Sequence, residues 1–245
     1  MATPRSGNFP DTRAVWISDR LAEGEAGVAE ARNFVMATYQ RPLEKYCMAL
    51  RLGRQFGAEP EDVVNGFFAS RLASPEFLRS WAGSGLRLRK WLRNGVNFYV
   101  REQLRDRNAI DRFEPPGLDS SGQPVDSAGT TGAIPGEPAA DLLYDRAWAT
   151  SALEGAITAT KFALASAGRD HYWEIFWSSR VLGVPNETTA QSRGVTAAQV
   201  RQIVHTVADR LREAIREVLI KDGAKPADLA DEIRAMLHAL HDHGR

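Results

Sequence analysis

The sequence predicts an all-α protein, two helical domains joined by a flexible linker, and three observations point there. Apolar residues recur at three- and four-residue steps through most of the 245 residues, the period of a helix with one buried side. No period-two strand pattern or Asn-Gly hairpin stands out. Between Asp111 and Ala140 the composition changes: Pro115, Pro116, Pro124, Pro135 and Pro138 stand among Gly and Ser, with almost no large apolar residue. Such a stretch buries too little surface to offset the entropy of ordering it. The expected division is therefore a helical domain over 1–110, a linker over 111–140, a second helical domain over 141–222 and a C-terminal segment over 223–245.

Residues 1–10 are polar and expected to be loose, and Asp11–Leu21 reads as a short helix with Val15, Trp16 and Ile17 turned inward. A helix over Val28–Tyr39 follows. Pro42 opens the next, through Leu43, Tyr46, Cys47, Leu50 and Leu52, because a proline at the first turn loses no hydrogen bond. Gly53 and Gly57 end it. Pro60-Glu61-Asp62 starts a helix with acids at its positive end and an apolar stripe of Val64, Phe67, Phe68 and Leu72. Ser74 caps a short helix to Trp81, and Ala82–Gly85 turns into a long one reaching Arg107. Beyond the linker, Asp141–Ala167 is a long helix with Leu143, Trp148, Leu153 and Ile157 on its buried side. Asp170–Val181 is a second, Glu187–Ser192 and Thr196–Ile220 a third and fourth, and Pro226–His241 a last amphipathic one.

Composition narrows the function. Hydrophobic content of 43% and six Trp allow a core, while a net charge of zero excludes a surface coated in basic residues. Cys47 is the single cysteine, so neither a disulfide framework nor a cysteine-built zinc site is possible. No apolar run approaches the roughly 18 residues of a membrane span, and no apolar stretch follows Met1. A soluble, cytoplasmic protein is expected. Catalytic signatures are missing: no phosphate loop, no G-x-S-x-G elbow, no H-E-x-x-H. Glu61 and Asp62 are adjacent and diverge by about 100° on a helix, a poor acid/base pair. His238, His241 and His243 read as a tail and not as metal ligands. No enzyme, cofactor or metal is expected.

Two stretches carry a positive signal. Gly85–Arg107 has Leu88, Trp91, Leu92, Val96, Tyr99, Val100 and Leu104 at helical spacing. Its other faces bear seven cations (Arg87, Arg89, Lys90, Arg93, Arg101, Arg105, Arg107) against Glu102 and Asp106. That local excess in a neutral chain is an electrostatic footprint for phosphates. Trp91, Phe98 and Tyr99 among the cations add the rings on which unstacked bases lie. The second stretch, Thr188–His205, has the layout of a helix-turn-helix. Ala190 lets two helices approach, Gly194 makes the turn, and Thr196 caps a helix buried through Val195, Val200 and Ile203 or Val204. Ala197, Ala198, Gln199, Arg201 and Gln202 stand in its exposed N-terminal half, where base edges are read.

In this order the motifs resemble bacterial RNA polymerase sigma factors of the extracytoplasmic-function type, in their planctomycete-like branch. Four landmarks over about residues 9–222 carry the likeness: Phe9-Pro-Asp-Thr-Arg13; Pro60-Glu-Asp-Val-Val-Asn-Gly-Phe-Phe-Ala-Ser-Arg-Leu72; Leu86-Arg-Leu-Arg-Lys-Trp-Leu92 through Asn97 to Arg107; and Glu137-Pro-Ala-Ala-Asp-Leu-Leu-Tyr-Asp-Arg-Ala-Trp148. The resemblance implies a region-two domain before the linker and a region-four domain after it. Asp62, Asn65 and Phe68 would dock on the β′ clamp helices of the polymerase core. Arg87, Arg89, Lys90, Trp91, Asn97, Phe98, Arg101 and Arg105 would hold the opened minus-ten strand. Thr196, Ala197, Gln199, Arg201, Gln202 and His205 would enter the major groove at the minus-thirty-five element. The implied partners are core polymerase, through the β′ clamp helices and β flap, promoter DNA, and an anti-sigma factor.

Two departures define an alternative. The family places Ile and Leu where this chain has Thr189 and Arg193. Residues 187–221 hold six cations and four anions, 6 − 4 = +2, a thin footprint for duplex DNA. The alternative is a sigma-like protein that has lost full promoter reading and regulates transcription by protein contacts. Residues 226–241 lie outside the resemblance.

Overall fold

A computed structural model describes residues 15–54, 57–111 and 138–241 of the chain, and among these every regular element is helical, with no strand. The Phe9–Arg13 motif, residues 112–137 of the expected linker and His243 lie outside the described residues. No described helix is long and apolar enough to cross a membrane. The elements are α1 (Val15–Ala22), α2 (Glu25–Ala49), α3 (Pro60–Arg71), α4 (Glu76–Ala82), α5 (Leu88–Asp111), α6 (Pro138–Ser166), α7 (His171–Phe176), α8 (Asn186–Arg193), α9 (Ala197–Lys221) and α10 (Leu229–His241). A wide π-type turn, Trp177–Val181, continues α7. The chain forms two compact units, one of Ile17–Trp148 and the other from Ala149 onward together with Trp16. The dividing point therefore falls inside α6, where the sequence reading opens the second domain at 141. Ala140, Tyr144 and Trp148 are buried in the first unit.

In the first unit, α2 is one continuous helix where the sequence suggests two separated before Pro42. An internal proline loses a hydrogen bond and costs about 3 kcal/mol. The stripe Ala31, Val35, Tyr39, Leu43, Tyr46 and Cys47 is almost wholly excluded from water, and that burial outweighs the break. Gly27 sets the approach of α1 to α2: a Cβ there would stand 2.0 Å from the Arg20 carbonyl oxygen. Because the obstacle is backbone, Gly27→Ala is expected to cost about 1–3 kcal/mol, seen as a lower midpoint in denaturant with an unchanged slope.

The region around α5 is fixed by short-range bonds. Ser74 Oγ accepts from the Glu76 amide, starting α4. Buried Trp81 donates its indole N–H to the Leu86 carbonyl at 2.8 Å. Ser84 Oγ donates to the Trp81 carbonyl and accepts from the Leu86 amide. These bonds set the direction in which α5 leaves the turn, with Leu88, Leu92, Val96 and Val100 in the core.

Along α6 the buried side differs from the sequence expectation, except that Trp148 is buried as expected. Leu143, placed inside by periodicity, is exposed, and Leu153 and Ile157 are half-buried. Its buried positions in the second unit are Ala149, Ala152, Ala156, Thr160 and Leu164. Small residues let the helix pack closely, but they give a weak apolar signal. Leu164, Ile175, Ala190, Val200, Ile203, Val204 and Val207 form one cluster joining α6, α7, α8 and α9. At its far end, α9 places the Lys221 ammonium 4.4 Å from the centre of the Trp16 ring. Met236 of α10 is buried, while Leu237 is half exposed.

Candidate nucleic-acid interface

Around α5, one side chain in every three or four is spent on the core, and the remaining positions divide between two sides. On the first side, Lys90, Phe98 and Arg105 are exposed, while Arg87, Trp91 and Arg101 are half-buried. Phe98 has 59% of its surface in water, and the Arg101 guanidinium lies 5.8 Å from its ring centre. A large exposed ring beside a cation is costly to leave in water and suited to stacking a base next to a phosphate.

Beside Phe98 opens a cleft of about 340 Å³ lined by Arg71, Phe77, Trp91, Asn94, Gly95 and Phe98. Its rings are braced from behind: Phe77 and Trp91 stand 5.6 Å apart, and Phe67 meets Phe77 edge to face at 5.7 Å. Gly95 allows this closeness, since a Cβ there would come within 3.0 Å of Phe67 and 3.1 Å of Phe77. Arg71 at the rim forms an ion pair with Glu102. Arg71, Phe77 and Asn94 escape sequence reasoning because α3, α4 and α5 each contribute one, and no spacing links them. The glycine among bulky neighbours at 95 is the one signal that could have pointed to the cleft.

On the second side of α5, the expected nucleic-acid residues Arg89 and Asn97 are engaged within the first unit. Asn97 donates Nδ2–H to the Tyr46 hydroxyl at 2.9 Å, and its Oδ1 is buried without a hydrogen-bond partner. Burial pushes the Tyr46 phenol above its ordinary value, the Asn97 bond and Arg93 partly opposing the rise. Arg93 Nη1 lies 2.8 Å from Asp141 Oδ1, and Arg89 stacks on Trp148 with its guanidinium 4.3 Å from the ring centre. Among the residues that the resemblance assigns to core docking, Asp62 and Asn65 are exposed on α3. Phe68, the third of them, is only 4% exposed and packs beside Phe67.

In the second unit a tight turn joins α8 to α9. Gly194 takes the left-handed conformation (φ 65°) that ends α8, and the Val195 amide donates to the Ala190 carbonyl at 3.1 Å. Thr196 and Gln199 form a reciprocal capping box at the start of α9. Gln199 is thereby occupied, its Oε1 accepting from the Thr196 amide at 2.8 Å, and Ala197 packs on the core cluster. Ala198, Arg201, Gln202 and His205 remain exposed. His205 stands 3.1 Å from Asp209, which also pairs with Arg212, so a carboxylate sits beside the positions a duplex would meet.

The two departures have different fates. Arg193 lies at the surface in an ion pair with Glu174 at 2.6 Å, whereas Thr189 is buried with its hydroxyl lacking a hydrogen-bond partner. Thr189→Val removes that hydroxyl at constant shape. It is expected to stabilise the second unit by about 1–2 kcal/mol, visible as a higher thermal midpoint. No family model matches the chain, and no curated protein or solved structure matches it.

Proposed function

We propose that the chain is a sigma factor of the extracytoplasmic-function type, which binds core RNA polymerase, selects promoter DNA and holds one strand of it open. The observation that carries this reading is the open side of α5. There Arg101 stands beside exposed Phe98 at the mouth of an aromatic cleft, and Lys90 and Arg105 are exposed on the same helix, cations for a backbone and rings for bases displaced from a duplex. The helix-turn-helix of α8 and α9 supplies a duplex reader through Ala198, Arg201, Gln202 and His205. Asp62 and Asn65 on α3 are accessible for the β′ clamp helices, and the β flap and an anti-sigma factor are further partners of the same reading. In this arrangement the two units act as region-two and region-four domains joined through residues 111–140, in the cytoplasm with the polymerase. The work is done by binding energy; no bond is made or broken by this chain.

A second reading, a sigma-like regulator acting by protein contacts, is favoured by Asp209 offsetting His205 and Arg212 and by the unpartnered hydroxyl of Thr189. Run-off transcription with purified core polymerase on a library of random promoters separates the two. Selected promoters are expected with the wild type and are expected to vanish with Phe98→Ala/Arg101→Ala. Core binding without any transcript would leave the second reading, and absence of core binding would end both.

A further inference from the structure

We propose that the opening turns of α6, Pro138–Trp148, are an intramolecular strap that competes with nucleic acid for the Arg89–Arg93–Asn97 side of α5. The inference rests on the reading of α5 as a nucleic-acid helix and adds a means of regulating it. Positions 89, 93 and 97 are successive i, i+4 neighbours and form one row along the helix. Asp141, Tyr144 and Trp148, at steps of three and four on α6, meet the Arg89 and Arg93 part of that row directly and Asn97 only through Tyr46. The Asp141 carboxylate takes the Arg93 guanidinium at 2.8 Å, leaving the Arg93 side chain 18% exposed. Trp148 takes the face of Arg89 at 4.3 Å. Tyr144, itself buried, donates its hydroxyl to the Arg89 carbonyl at 2.8 Å and meets Tyr46 edge to face at 5.8 Å. Tyr46 in turn holds Asn97.

The chemistry of the strap is that of the ligand it excludes. A carboxylate forms a close ion pair with one arginine, though without hydrogen-bond alignment, and an aromatic plane lies on the next as a base would. Two cations of the footprint are therefore satisfied inside the chain, while Phe98, Lys90 and Arg105 on the other side stay open. Nucleic acid can engage the open side with the strap in place, and it gains Arg89 and Arg93 only when the strap leaves. The strap thus sets a threshold that a sufficiently strong ligand, or a partner that captures Pro138–Trp148, overcomes.

The test uses the full chain and a labelled single-stranded DNA oligonucleotide of mixed sequence, titrated by fluorescence anisotropy at several salt concentrations. Asp141→Asn/Tyr144→Phe keeps the shapes of both side chains and weakens the strap. It is expected to bind about tenfold tighter, and one added phosphate contact, through Arg93, steepens the log–log salt slope by about 0.7. Adding Arg89→Ala/Arg93→Ala to the released variant is expected to abolish that gain. Glu154→Gln, an equal charge change further along α6, controls for bulk electrostatics. An equal gain with Glu154→Gln, or a gain that survives loss of both arginines, overturns the strap. No gain while Phe98→Ala still loses binding overturns the strap and leaves the nucleic-acid reading standing. No binding by either the wild type or the released variant overturns both.

Discussion

Phe98→Ala is expected to weaken binding of single-stranded DNA about tenfold or more, since stacking one base on an aromatic side chain contributes roughly 1–3 kcal/mol. The ring is more than half exposed and does not belong to the core, so the denaturation midpoint should stay within about 0.5 kcal/mol of wild type. That separation gives the substitution its value. Trp91 lines the same cleft but packs against Phe77, so its removal would mix a lost base platform with a disturbed fold. Anisotropy titration beside a urea melt reads both quantities. Unchanged affinity with unchanged stability would mean that the exposed ring serves something other than single-stranded nucleic acid.

Phe67→Ala is expected to have the opposite profile, costing about 3–5 kcal/mol of the stability of the first unit. Phe67 is fully buried and touches Phe68, Phe77 and Tyr99, so truncation leaves a cavity bounded by rings that cannot all move in. Because it backs Phe77 and Gly95, the cleft should loosen with it. Cys47 offers a direct readout. Desolvation, with a smaller contribution from the Glu44 carboxylate, pushes its thiol up to about 12, so in the native protein it should resist alkylation near neutral pH. In Phe67→Ala the thiol should react faster, in proportion to the population that opens. Wild-type kinetics at that site would count against Phe67 as the keystone of the unit.

The helices most legible in the sequence are those whose ends are written in local chemistry. Pro60 at the first position of α3, and Gly194 followed by Thr196 and Gln199 between α8 and α9, describe ends that involve only residues a few positions apart. The basic character of α5 was legible for the same reason. What escaped depends on partners far along the chain. Pro42 continues a helix because the stripe around it is buried, a fact of tertiary packing that outranks propensity. On α6 the sequence places Trp148 inside, where it is, but also Leu143, which is exposed, because alanines mark much of the remaining buried side. The cations of α5 look alike in sequence. Only the return of Asp141, Tyr144 and Trp148 separates Arg89 and Arg93 from Lys90, Arg101 and Arg105.

The break between units inside α6 has a practical consequence for dissecting the molecule. A fragment cut at 137, where proline and glycine invite the cut, would lack three buried side chains, Ala140, Tyr144 and Trp148. It would expose the Tyr46 ring to water and leave Arg93 without its counter-ion. Such a fragment should be prone to self-association through that bared strip, and its behaviour would say little about the intact chain. Cutting after Trp148 keeps the strip covered, at the cost of severing a helix whose remainder, from Ala149, then begins the other fragment without a cap of its own. Expression trials and protease mapping on this protein are better guided by side-chain burial along α6 than by the composition of residues 111–137.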